Sequence, residues 1–208
     1  MLRNIRVSNA IIAIFVFIFG LSAFGQDSLK FPDFSATQVF ESRKATMEMK
    51  VHVSGSSVRV ERSKALSTLY VPAQSKVYNL TTYPDNSHQC VAMKAEQARM
   101  LPSPLELLQG SELKRTKVGT ATLDGHLCSI ENVIVKRPDG STIESKVWEA
   151  QDLGGIPVRI ESHIGEITLS ANYRDIVVGA ADQNLFAVPQ KCTPFEKMGQ
   201  VVEQKTIR

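Results

Sequence analysis

Apolar and polar residues change places with a period of two along most of this chain. Thr46, Glu48, Lys50 and His52 alternate with Met47, Met49, Val51 and Val53, the spacing of a strand with one wet and one apolar face. Ser54-Gly55-Ser56 turns the chain, and Val58 and Val60 alternate with Arg59 and Glu61 on the return, so Thr46 to Arg62 is expected to form a β-hairpin. Leu66 to Val71 and Lys76 to Leu80 read as two further short strands, separated at Pro72, where no ladder can continue. Asp85-Asn86-Ser87 is turn chemistry, and His88 to Met93 returns as a strand.

The same pattern resumes beyond Gly110. Leu113 to Leu123 and His126 to Lys136 flank Asp124-Gly125, a hairpin dipeptide, and Pro138-Asp139-Gly140 leads into Ser141 to Ala150. Ile156 to Ser162 and Glu166 to Val178 follow, with His163-Ile164-Gly165 as the turn between them. Ala180 to Pro189 reads as a turn and a short last strand at Leu185 to Val188, before a charged, loosely held tail over 191–208. Gln26 to Phe34, with Pro32, reads as an entry segment. Regular short strands with frequent turns predict one mainly β (α+β) domain over 26–190, built on a large antiparallel sheet that is curved or partly closed.

One stretch breaks the alternation. Lys94 to Leu101 holds helix formers and no β-branched residue, and Pro102 stops it. Ser103-Pro104-Leu105-Glu106 then supplies an N-cap, a proline suited to a first helical turn, and a capping-box glutamate. Gly110 stands where a left-handed cap is wanted. Two short helices over about 94–109 are predicted. Isolated helices below ~12 residues are marginal in water, so both must lean on the sheet through Met93, Met100, Leu101, Leu105, Leu107 and Leu108. From pattern alone they close the sheet's core.

The N-terminus fixes the compartment. Arg3 and Arg6 precede an apolar run from Ala10 to Phe24 that ends in Ala23-Phe24-Gly25, a secretory leader pattern over 1–25 with cleavage after Gly25. The run is shorter than the ~20 residues of a stable bilayer anchor. No cysteine lies near the cleavage site to carry a lipid. Net charge is +3 for the chain and +1 once Arg3 and Arg6 leave with the leader, so electrostatics gives no case for nucleic acid.

Export makes a disulfide possible for Cys90, Cys128 and Cys192. Three single bridges can be drawn. Cys128 with Cys192 is the preferred pairing, since it would tie the tail to a predicted central strand, with three buried thiols as the other reading.

Certain segments carry a family resemblance. Trp148-Glu149-Ala150-Gln151-Asp152-Leu153, Ile156-Pro157-Val158-Arg159-Ile160-Glu161 and Leu185-Phe186-Ala187-Val188-Pro189, with the order leader, meander, helical insertion and second meander, resemble an uncharacterised family of secreted bacterial proteins near the LolA/LolB-like fold of periplasmic lipoprotein carriers. The resemblance implies an unclosed antiparallel half-barrel whose apolar face is covered by short helices. It also implies a periplasmic or secreted location and a hydrophobic ligand, a lipid or acyl chain or a lipoprotein, held between sheet and helices. The expected lining is Met47, Met49, Val51, Met93, Met100, Leu101, Leu105 and Leu108. LolA's longer N-terminal helix and lid-locking arginine have no counterpart here, nor does a LolB-type membrane-inserting loop.

No cofactor, metal or covalent chemistry is called for. P-loop, dinucleotide-binding and nucleophile-elbow patterns are absent from the sequence. His88-Gln89-Cys90 is the nearest thing to a metal or nucleophile pair, and nothing supplies its remaining ligands or its orienting group. Glu144, Glu149 and Glu161 read as solvated strand residues, Trp148 as a core anchor, and Lys114, Arg115 and Lys117 as a solvated strand end in preference to a patch that meets a membrane surface. The alternative to a ligand carrier is an envelope protein-interaction or sensor module with a filled core. An exported enzyme ranks last.

Overall fold

The computed structural model describes residues 31–41, 46–95, 105, 108, 112–136, 140–164 and 167–197. The leader expected over 1–25 lies outside them, as do Met100 and Leu101 and most of the helical insertion. Twelve strands make one sheet: β1 (Phe34–Glu41), β2 (Thr46–Ser54), β3 (Ser57–Glu61), β4 (Leu66–Val71), β5 (Lys76–Thr82), β6 (His88–Lys94), β7 (Glu112–Leu123), β8 (His126–Lys136), β9 (Thr142–Ala150), β10 (Ile156–Ile164), β11 (Ile167–Val178) and β12 (Thr193–Pro194). Their spatial order is β12-β6-β5-β4-β3-β2-β1-β11-β10-β9-β8-β7. Every pairing is antiparallel except β12 with β6. The architecture is the open, curved antiparallel sheet expected from the sequence.

Two meanders, β1 to β6 and β7 to β11, join where β11 pairs with β1. Tight turns set their registers. Asp124 (φ 51°) and Gly125 (φ 85°) both take left-handed backbone, the type I′ geometry that matches the twist of flanking strands. Cross-strand partners share a face, and one row, Phe34, Val53, Val58, Tyr70, Val77 and Met93, runs from β1 to β6. This inner face carries the main core, including Phe34, Phe40, Val51, Val147, Ile160 and Tyr173.

The strand order forces a crossover. β6 and β7 are consecutive in the chain but ten strand spacings apart, about 48 Å across a flat sheet. The 17 residues between Lys94 and Glu112 reach only about 60 Å when fully extended. A flat sheet would leave them little slack, and curvature shortens the span. Leu105 and Leu108 are helical and fully buried in that core.

Several expectations need correction. The entry segment runs directly into a strand that the alternation did not declare, since Phe34–Glu41 lies at the centre of the sheet. The last strand expected at Leu185 to Val188 is a 3-10 turn over Gln183–Phe186, with Asp182 accepting from the Asn184 N–H. The tail is not loose at its start. Cys192 is disulfide-bonded to Cys90, and Thr193 and Pro194 pair in parallel with Val91 and Ala92. The preferred bridge from Cys128 to Cys192 is therefore wrong. Cys128 faces Ala150 on β9, at the other end of the sheet from β6, and is a buried free thiol.

Candidate ligand site on the inner face

Of the expected lining, Met49, Val51, Leu105 and Leu108 meet in the single main core cluster. Period two puts Met49 and Val51 on one side of β2, and the crossover brings the two leucines down on it. Met93 is buried on β6, paired with Val77. Met47 shares the inner side of β2 but lies near the strand's end and is 47% exposed, so it does not line a closed interior.

The inner face is not uniformly apolar. Gln38, Thr68, Ser145 and Ser162 are all buried. Thr68 donates to Asn79 Oδ1 and accepts from Arg62 Nη1, both at 2.9 Å, and the Ser145 and Ser162 hydroxyls are 2.7 Å apart. Towards β7, Arg115 turns inward. Its Nη2 lies 2.7 Å from both carboxylate oxygens of Glu149, and its Nε donates to Glu131 Oε2 at 2.7 Å. Burial pushes the Glu149 carboxyl above the ordinary glutamate range, the nearby Glu131 adds to that, and Arg115 opposes it.

Glu149 was expected to be solvated and is instead buried. The signal was present: Ile143, Ser145, Val147 and Glu149 occupy alternate positions of β9, so period two places Glu149 with the core residues. Trp148 has the opposite fate. It is half-buried on the outer face, with Lys146 Nζ and Arg159 Cζ 5.1 and 5.3 Å from its ring centroid, a cation–π arrangement.

Other candidate chemistry disperses. Cys90 is consumed in the disulfide, and His88 is exposed with its Nδ1 3.2 Å from Thr82 Oγ1. Burial pushes the Cys128 thiol up, away from the thiolate a nucleophile needs. His126 Nδ1 lies 2.8 Å from Asp152 Oδ2, and this hydrogen bond lowers the exposed aspartate below its ordinary range. Among the described residues no group of three or more histidine, cysteine or acidic side chains is placed to hold a metal. An outer-face cleft of about 390 Å³ includes Thr37, Lys50, Glu61, Arg174 and Asp175 in its wall. There the Thr37 hydroxyl donates to Asp175 Oδ2 at 2.9 Å and accepts from Lys50 Nζ at 2.7 Å. Its charged wall does not suit an acyl chain.

An open curved antiparallel sheet with Leu105 and Leu108 buried on its apolar face defines the class. No protein-family model matches the chain, and no curated protein sequence matches it. Among solved structures the fold is similar to MucB, at 14% identity and a TM-score of 0.43, over 81% of this chain and 61% of that one. It is also similar to PNGF-II (8%, 0.44, 83% and 33%) and to a LolA superfamily protein from Nitrosomonas europaea (10%, 0.32, 78% and 94%). The chain thus spans less than two thirds of MucB and a third of PNGF-II. These are likenesses of fold alone.

Proposed function

We propose that this is an exported, non-catalytic binding protein whose inner face takes a hydrophobic ligand, a lipid or acyl chain, in exchange for side chains of the crossover. The observation that carries the reading is the burial of Leu105 and Leu108 among Met49, Val51 and Phe34. The two leucines belong to the segment between β6 and β7 and to no strand of the sheet, so their displacement would break no strand pairing. An acyl chain would replace their methyl groups against the same strand residues, with Met49 adapting to its shape. The leader pattern supports a periplasmic or secreted site of action.

Full burial of both leucines equally favours a second reading, an envelope protein-interaction or sensor module whose core is permanently filled. Native mass spectrometry after incubation with phosphatidylglycerol vesicles separates the two. The carrier is expected to leave the vesicles with one lipid per chain. Recovery of the apo mass alone, under conditions where a known lipid carrier loads, would sink the carrier and leave the filled module.

A further inference from the structure

The outer face of the sheet has its own apolar cluster, remote from the crossover. Arg59, Leu69, Tyr78 and Ala92 form one outer row across β3 to β6, and Glu61, Ser67, Leu80 and Cys90 the next. Leu69, Tyr78 and Cys90 are buried there, and the cover is Phe186, Val188 and Cys192 of the chain that follows β11. Covered on both faces, β4 and β5 bury adjacent residues, Ser67 to Leu69 and Val77 with Tyr78, and so lose the alternation seen in β2.

Besides the disulfide, the cover is held by Phe186 and Val188 packed on the outer cluster and by short polar contacts. Arg59 Nη1 donates to Leu185 O at 3.0 Å, and Gln183 Nε2 to Ser54 Oγ at 3.2 Å. Strand pairing is confined to Thr193 with Val91 and Pro194 with Ala92. Neither 3-10 turn of the segment contains a fully buried residue, and none of its residues joins the main core. Gly179, at φ 135°, lies between β11 and this segment, its N–H on Asp33 O.

We propose that 182–197 is a strap latched by a reducible disulfide: it covers a second apolar surface on the outer face and swings clear when Cys90–Cys192 is reduced, while the sheet stays folded. The reductant is a dithiol. Its thiolate attacks Sγ of Cys192, the more exposed of the pair, and Cys90 leaves as a thiolate that takes a proton from water. The reagent's second thiol then attacks the mixed disulfide, freeing Cys192 and closing the reagent into its own disulfide, with two electrons transferred. Cys128 takes no part, being buried at the far end of the sheet. Release uncovers Leu69, Tyr78 and Leu80 and unpairs Val91 and Ala92 of β6 from Thr193 and Pro194.

The test is hydrogen exchange with maleimide mass mapping on the full exported chain, oxidised and after dithiothreitol without denaturant, with Cys192→Ser in parallel. Reduction is expected to label Cys90 and Cys192 but not Cys128. It should speed exchange about tenfold or more at 183–197 and 88–94, while β1, β10 and β11 keep their protection. Three results overturn the proposal: a disulfide that yields only in denaturant, unchanged protection of 183–197 after reduction, or loss of protection across the whole sheet. Should Cys192→Ser not accumulate as folded protein, the reduced natural chain decides alone.

Discussion

Arg115→Ala is expected to lower the unfolding free energy by roughly 2–3 kcal/mol at neutral pH and by clearly less near pH 4. Arg115 holds both oxygens of Glu149 at 2.7 Å, and the Glu149 side chain is only 10% exposed. Removing one partner of such a pair leaves the other charge in an apolar setting, which costs more than the pair itself contributes. Arg115 is 29% exposed, so the loss falls below that of a fully buried pair.

The pH dependence follows from Glu149. Its carboxyl is raised above the ordinary value in the folded state, chiefly by burial. A group raised on folding contributes stability that is complete below its unfolded value and is lost as pH rises through its folded value. Arg115 limits that loss by pulling the carboxyl back down. In the variant the carboxyl rises further, so the gap between variant and natural protein opens as pH passes the raised Glu149 value of the natural protein and levels off above the still higher value of the variant. Urea melts between about pH 4 and pH 8 would measure it. An equal deficit at both ends would mean that Arg115 acts by packing and that the charge of Glu149 is immaterial. Glu149→Gln, which keeps the shape and leaves Arg115 with Glu131, is expected to cost less, about 1 kcal/mol.

The sheet was legible because most of its strands bury one face only. In β2, β3 and β9 the side chains alternate between core and solvent, and the period declares them. β1 escaped for a physical reason: it lies at the centre of the sheet, where Thr37 and Gln38 are buried as well as Phe34 and Phe40. Polar residues inside and small ones beside them erase the alternation. The outer cluster was hidden in another way, since Leu69 and Tyr78 are covered by residues more than 100 positions later, and pattern within a window cannot report a distant cover. Composition could not choose the disulfide either. Cys90 and Cys192 meet only because the strap crosses the outer face to the β6 edge, and that path is set by Phe186 and Val188 finding Leu69 and Tyr78. For the inner site, two-residue periodicity located Met49 and Val51, while the strand order explains why Leu105 and Leu108 face them.

Replacing Leu105 and Leu108 together by alanine is expected to have the largest effect, a loss of about 4–10 kcal/mol, since each fully buried leucine costs about 2–5 kcal/mol. Such a loss rivals the whole stability of many domains, so Leu108→Ala alone, at about 3 kcal/mol, serves where the double variant does not fold. The value of the experiment lies in what restores the stability. If the leucines are stand-ins for a ligand, shortening them empties a lipid-shaped volume and removes the chain's own competitor. The fraction of molecules ready to bind then rises, and apparent affinity rises with it. Oleate should therefore stabilise Leu108→Ala by about 2.7 kcal/mol at a hundredfold excess over the variant's dissociation constant, and the natural protein by less. If the core is permanently filled, the variant is weakened equally with and without oleate, because a collapsed cavity offers the acyl chain no route in. Chemical denaturation of both proteins with and without oleate distinguishes a displaceable lid from a plug that completes the core.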